Sequence, residues 1–404
     1  MSEWAFNIGE WTESYVFLRL LGQGRMYGAT SEFTKDENLY IDILEILRSE
    51  KDKLLVFKRI IENNICKISI SDNDAIIKVV SSSEFDKVGT LLYNHIKTIS
   101  SKTRTFSFLG IQNFLESIAL ESPKPALSKS LKEKYGQKTD IIIKYVNSLD
   151  LAIRTEGFSI KSHLGHCPTL YNCSSKSQLV YEVIGCTKAK MYEINAEDSE
   201  KGIFKKIDTD SSLSLKFLGG GCPNFEDNIS LCDSRMLELL DQIMMINIGS
   251  LGNSQSTSCE DTANELIRLN PLQVRVPNVF YPTLIKRFLF NTFGGMTAST
   301  PWDGRRKLTG GYIDVDKMGN ILYYRAMSDD VFESYLFKNT KIDRPSRGIQ
   351  KDIANKRGKM FLAGSSEEEI NEFTLSGAKK GDWGYIYEKD GKFHIAINFQ
   401  IRFK

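Results

Sequence analysis

The stretch Glu156–Gly165, EGFSIKSHLG, decides how this chain is read. Phe158 and Ile160 alternate with Ser159 and Lys161, and alternate side chains of a β-strand stand on opposite faces. An apolar face packed on a core accounts for the first pair. The second pair puts a hydroxyl and an ammonium on the other face. That face is either an ordinary solvated surface or the wall of a site that handles phosphate. Upstream, TDIIIKYV (139–146) reads as the preceding strand, opened by Asp140 and joined to EGFSIKS through a turn at NSLD.

Hydrolysis of a phosphodiester needs a metal to polarise the phosphate, a carboxylate to hold the metal, and a group that orients the attacking water. An economical arrangement sets an Asp at the start of one strand and an acid-x-Lys on the next, because residues two apart share a face. Asp140 and Ser159-Ile160-Lys161 follow that arrangement with two departures: Thr139 stands where a Pro is expected, and Ser159 where the second acid is expected. A hydroxyl is a poorer metal ligand than a carboxylate, so another acid should compensate. Glu13, with Glu10 less favoured, is the candidate if the first helix packs behind the strands, and Glu182 is the alternative.

Around this centre the periodicity predicts a helix over about Glu10–Leu21, with Gly22 as its stop, and helical or helix-turn-strand structure over 40–62. ICKISISDNDAIIKVVS predicts a hairpin through DND, and residues 83–119 two helices. ESPKPALSKSLKEKYGQK (121–138) reads as a linker or mobile loop. SKSQLVYEVIG could be helix or strand, and the residues after NISLCDS form a long apolar helix. Residues 261–294 are mostly helical, and the last third returns to strands. HIAINFQIRF reads as one final strand with Ile395, Ile397, Phe399, Ile401 and Phe403 on its buried face. The Gly-rich FLGGGCPNF lacks the Lys-Ser/Thr of a nucleotide-binding loop and reads as a flexible turn.

Composition bounds the rest. The chain has 404 residues, 41% hydrophobic and 26% charged, with a formal net charge of +2. That balance is less basic than a dedicated non-specific nucleic-acid binder, though a locally basic cleft remains open. Seven scattered cysteines without a CxxC pair indicate reduced thiols rather than a disulfide framework or zinc knuckle. The near-neighbours His163 and His166 are poorly spaced for a shared metal. No apolar run approaches a membrane span and the N-terminus is acidic, so the expected compartment is cytoplasmic, without a membrane partner.

Taken together, GEWTESYVFLRLL (9–21), DIIIKY…GFSIKSHLG followed by PTLYNCS, and the C-terminal FESYLFKNTKIDRPS and AINFQIRF resemble the HpaII-type restriction endonucleases, with the blocks in the family's order. The resemblance implies an α/β (mixed α+β) protein built on a PD-(D/E)xK nuclease core, a mixed β-sheet flanked by helices. Additional helical and C-terminal β-rich regions complete it. It implies a type II enzyme that cleaves double-stranded DNA with Mg2+ at a short palindromic CCGG-type site, and a companion DNA methyltransferase. A palindrome fits a homodimer, since a two-fold target matches a two-fold protein. Carried over, Asp140 is a metal ligand, Lys161 orients and activates the water, Ser159 occupies the second-acid position, and Glu13 supplies the remote carboxylate. The expected organisation is a mostly helical region over 1–120, the catalytic core over 121–260 and a DNA-recognition region over 261–404.

Guanines in the major groove are typically read by arginine in bidentate contact. Arg305 and Arg306 in TPWDGRRKLTGG, and Arg344 and Arg347 in TKIDRPSRGIQ, are therefore the first candidates for DNA contact. Asn172 and Gln400 join them, although each of these groups could equally serve phosphate contacts or local structure. Two other readings stay open on the same residues: a nuclease that needs methylated or damaged DNA, and a sequence-specific DNA-binding protein whose nuclease core is inactive because Ser159 is not an acid.

Overall fold

The computed structural model describes the chain except for residues 1–2, 51–52, 100–103, 166, 173, 252–257, 306–308, 326–328, 345–348 and 376–382. Helix α1 (Ile8–Gln23) is set by local chemistry at both ends. Asn7 and Glu10 form a reciprocal capping box, and Gly24 closes the helix in the left-handed conformation at φ 79°. The stop is thus Gly24 rather than Gly22. Trp11, Tyr15, Val16, Phe17, Leu18, Leu20 and Leu21 are all buried, so the helix is apolar almost all round and runs through a core rather than over a surface.

Strands β1 (Arg25–Ala29), β2 (Lys35–Glu50), β3 (Lys53–Glu62), β4 (Ile65–Asp72) and β5 (Ala75–Ser81) follow, then α2 (Ser82–Thr98), α3 (Leu109–Ser117) and α4 (Lys129–Tyr135). Next come β6 (Ile141–Asn147), β7 (Ile153–Ser162), β8 (Thr169–Tyr171) and β9 (Gln178–Ile184). Helices α5 (Lys188–Asn195) and α6 (Glu200–Thr209) precede β10 (Ser214–Gly220). Helices α7 (Pro223–Cys232), α8 (Met236–Ile248), α9 (Cys259–Leu269) and α10 (Pro277–Phe293) lead to the hairpin β11 (Gly311–Val315) and β12 (Ile321–Arg325). The chain ends through α11 (Asp329–Asn339), β13 (Thr340–Asp343), α12 (Ile349–Leu362), α13 (Glu367–Glu372), β14 (Ile386–Lys389), β15 (Lys392–Asn398) and β16 (Gln400–Phe403).

This mixed α/β architecture divides into two compact units, Met1–Pro168 with Arg306–Tyr335, and Thr169–Arg305 with Leu336–Lys404. Each draws on two separate stretches of chain, whereas the division expected from sequence was linear, with boundaries near 120 and 260. The first unit groups this way because its sheet recruits strands from the N-terminal region and from beyond residue 310.

That sheet has nine strands in the order β1-β12-β11-β7-β6-β2-β3-β4-β5, and β1 also pairs with β2. The sixteen-residue β2 gives its first half to β1 and its second half to β6 and β3. This is why 40–62 is strand and not helix: Ile41, Ile43 and Ile46, with Leu55 and Phe57 on β3, are buried in the sheet, and pairing overrides the local helical pattern. Phe158, Ile160, Ile313 and Val315 share a core with α1. The 121–138 segment is not a bare linker, since α4 is capped inside it by Ser128.

The second unit holds a four-stranded antiparallel sheet, β10-β9-β15-β14, and a three-stranded one, β13-β16-β8. SKSQLVYEVIG therefore contains a strand, β9. HIAINFQIRF is two strands and not one: the chain leaves the first sheet after Asn398 and joins the second at Gln400. Ile395, Ile397, Phe399, Ile401 and Phe403 are all buried nonetheless, and Phe399 stacks on Tyr171 with centroids 5.5 Å apart. The Gly-rich segment does link a strand, β10, to a helix, α7. The carboxylate of Glu226 accepts the Gly220 amide at 2.6 Å and fills that turn itself.

Candidate active site

β6 and β7 are antiparallel neighbours, with Ile141 opposite Phe158. Asp140, one residue before β6, continues the ladder by donating its amide to the Phe158 carbonyl at 2.8 Å. Its carboxylate then folds over the next strand: Oδ2 accepts from the Ser159 hydroxyl at 3.1 Å and from the Ile160 amide at 2.7 Å. The backbone leading into this contact is tightly fitted. Thr139, in the place where a Pro was expected, is buried and donates its hydroxyl to the Tyr135 carbonyl at 2.8 Å. A Cβ on Gly157 would meet that hydroxyl at 2.5 Å and the same carbonyl at 2.8 Å, so only glycine lets β7 pass.

Ser159 is buried, so the polar side of β7 is no solvated face here, while Lys161 is half-buried. Burial raises the Asp140 pKa above the ordinary aspartate value, and Lys161 is the foremost charge opposing the rise, followed by the Ile160 and Ser159 hydrogen bonds. Asp140, Ser159 and Lys161 are thus one cluster.

Glu13, from α1, completes it. A small cleft is lined by Glu13, Phe17, Arg48, Pro125 and Asp140. Burial, and then repulsion from Asp140, push the Glu13 carboxyl well above the usual range, against the pull of Arg48 and Lys124. Glu10 has a different employment: it closes the α1 capping box with Asn7 and pairs with Lys124 at 2.5 Å. Glu182 lies in the second unit, 3.1 Å from Lys392.

Two basic groups of this site carry no signal in the sequence. Burial and the nearby Lys161 push the ammonium of Lys138 down to about 7, with Asp140 acting the other way. Arg48 is buried against Glu50 at 2.7 Å, and its guanidinium donates to the Ser122 carbonyl. Only the fact that Lys138 stands two residues before Asp140 could have drawn attention to it. Arg48 is an ordinary charged position on a strand until β2 is placed beside α1.

The expected DNA contacts fall differently. Asn172 and Arg305 are exposed. Arg344 is committed to Glu200 at 2.6 Å, and Gln400 donates to Asp343 at 2.9 Å. These four belong to the second unit. Arg306 and Arg347 lie outside the described residues, as does His166.

Two hard carboxylates that repel each other across a cleft, one tied to a strand and one to a helix, form a donor set suited to Mg2+. That ion takes one or two protein carboxylates and completes its shell with water and phosphate oxygens. Among the described residues no group of three or more His, Cys, Asp or Glu side chains gathers as a metal site, so the pair is the donor set available. No helix among those residues is long and apolar enough to cross a membrane.

The comparisons with known proteins agree with one another. The model of the HpaII restriction endonuclease family matches residues 7–362. The type II restriction enzyme HpaII of Haemophilus parainfluenzae is 30% identical over 400 residues, covering 98% of each chain. No solved structure matches.

Proposed function

Because the chain belongs to the HpaII restriction endonuclease family and is a type II site-specific deoxyribonuclease, we propose that it cuts double-stranded DNA at a short palindromic CCGG-type site, with Mg2+, from a PD-(D/E)xK-type centre formed by Asp140, Ser159, Lys161 and Glu13. The observation that carries this reading is the meeting of Glu13 and Asp140 in one cleft, with Lys161 acting on Asp140 from the next strand position.

Asp140 and Glu13 would hold the metal, which would supply Lewis-acid stabilisation of the charge that develops on the scissile phosphate. The chain's own groups do the rest. Lys161 binds a non-bridging phosphate oxygen and orients the attacking water. Ser159 takes no metal; its hydroxyl donates to Asp140 and fixes the rotamer of that carboxylate, the duty that remains once the second acid is gone. Glu13 restores from the helix the negative charge that the strand lacks. Lys138 stands beside Asp140 and Lys161, and when protonated it adds positive charge that favours a phosphate over a neutral substrate.

Reading of the sequence falls to the second unit. Arg305 and Asn172 are exposed there, and Arg344 and Gln400 would exchange Glu200 and Asp343 for DNA groups on binding. Arg347, and Arg306 from the first unit, complete the proposed set. A homodimer presents two such centres to a palindrome, a companion methyltransferase protects the host site, and the enzyme acts in the cytoplasm.

The test is digestion of unmethylated plasmid of known sequence with Mg2+ or with EDTA, alongside Lys161→Ala and Asp140→Ala, followed by sequencing of the fragment ends. Discrete fragments ending at CCGG-type sites, absent in EDTA and in both variants, are expected. Cleavage of methylated plasmid only, or tight binding without cleavage, would replace this reading with one of its two rivals.

A further inference from the structure

Lys161 has a second carboxylate beside it. β7 and β11 pair in parallel, with Lys161 opposite Asp314 and Ser159 opposite Tyr312, and side chains opposite one another across a ladder share a face. Asp314 is wholly buried. A buried carboxylate one strand away from an ammonium is its natural ion-pair partner, and such a pair would hold the ammonium away from a substrate.

Other groups already face the oxygens of Asp314. The Tyr335 hydroxyl donates to Oδ2, and His163 Nε2 stands 3.2 Å from Oδ1, a close contact outside hydrogen-bond geometry. The Tyr312 hydroxyl lies against the same carboxylate. His163 is held in place for this contact, because its amide donates to the Val315 carbonyl at 2.8 Å and carries the β7–β11 pairing one residue past the end of β7. On the other side the Ser162 hydroxyl meets that of Thr12 at 2.8 Å, next to Glu13 on α1. The strand end that bears Lys161 is therefore pinned from α1 and from β11 at once.

We infer that His163 is a positioning residue: with Tyr335 it occupies the space against the Asp314 carboxylate, so that Asp314 does not capture Lys161 and the ammonium stays turned to Asp140 and the scissile phosphate. This rests on the reading above in which Lys161 acts on the phosphate. It assigns work to a histidine and a buried aspartate that the hydrolytic step itself does not use.

A double-variant experiment separates positioning from mere packing. Single-turnover cleavage of unmethylated plasmid DNA and metal-free binding of the same DNA are measured for wild type, Lys161→Ala, His163→Ala, Asp314→Asn and the His163→Ala/Asp314→Asn pair. His163→Ala is expected to slow cleavage by about ten-fold with DNA binding within about two-fold of wild type, and Asp314→Asn in that background should recover most of the rate. A purely structural role makes the pair as slow as His163→Ala or slower, and that result overturns the inference, as does a His163→Ala variant that cuts at the wild-type rate. His163→Gln, whose amide can stand against the same Asp314 oxygen, guards against misfolding. It should cut at close to the wild-type rate, and slow cleavage at an unchanged unfolding temperature counts against the proposal. If Lys161→Ala cuts normally, the premise about Lys161 fails, a result distinct from failure of the rescue.

Discussion

The carboxylate of Asp140 accepts the amide of Ile160 at 2.7 Å, so the backbone between Ser159 and Lys161 is bound to the group proposed to hold the metal. The charge of Asp140 and its acceptor atom are separable. Asp140→Asn keeps an oxygen for the Ile160 amide and the Ser159 hydroxyl but loses the charge. It is expected to fold like wild type and to lose about three orders of magnitude in cleavage rate. Asp140→Ala should lose the activity and a further ~1–3 kcal/mol of stability, because a buried N–H is left without its acceptor. Urea denaturation beside the cleavage assay distinguishes the two. Equal stability of both variants would mean that the contact does not order the strand.

Glu10 and Glu13 stand one helical turn apart and do different things. Glu13→Gln should weaken Mg2+ binding, read by calorimetry, and reduce cleavage by about two orders of magnitude. Glu10→Gln keeps an oxygen for the Asn7 amide and loses only a pair in which the Lys124 side chain is 47% exposed. Its stability should change by no more than about 0.5 kcal/mol, with activity near wild type. The reverse ranking would move the remote carboxylate to Glu10.

Arg48 and Glu50 form an ion pair with both side chains 3% exposed, and the second Glu50 oxygen accepts the Glu121 amide at 3.2 Å. Arg48→Met leaves a buried carboxylate without its cation, at an expected cost of ~3–5 kcal/mol. The pair Arg48→Met/Glu50→Leu should recover most of that loss. A double variant no more stable than Arg48→Met would point to the Ser122 contact of the guanidinium as the dominant one.

In the second unit, burial raises the pKa of Asp241 above its ordinary value of 3.8, while the Tyr181 hydroxyl, at 2.6 Å, and the Gln242 amide pull it back. A carboxyl with a raised folded pKa binds more protons folded than unfolded. Its contribution is complete below the ordinary value and fades as pH rises through the raised one. Stability should therefore fall with rising pH across that window, and Asp241→Asn should flatten the slope. Thermal unfolding over a pH series measures it. An unchanged slope in the variant would assign the pH dependence to another group.

Much of the local structure was legible beforehand. The ICKISISDNDAIIKVVS hairpin and the two helices within 83–119 follow from patterns that repeat within a few residues, and their hydrogen bonds are local. Residues 40–62 read as helical or helix-turn-strand, since nothing local marks Arg48 and Glu50 as buried. They are buried as a pair inside a sheet whose other strands lie far along the chain. The break between β15 and β16 was invisible for a related reason: Ile395 to Phe403 keep one buried face without interruption, although that face serves two sheets.

From its local pattern alone the chain shows that Asp140 stands at the start of a strand, that Ser159 and Lys161 share a face of the next one, and that a helix carries Glu10 and Glu13. A two-residue or three-to-four-residue repeat fixes which side chains stand together on one element, and it does so whatever lies beyond. Only the tertiary structure decided that Glu13 rather than Glu10 meets Asp140, that Arg48 and Lys138 charge the same site, and that His163 and Asp314 stand beside Lys161. Those meetings join strands and helices distant in the chain. They depend on strand order, on the parallel register of β7 and β11, and on the burial of α1 against the sheet, none of which a local repeat specifies.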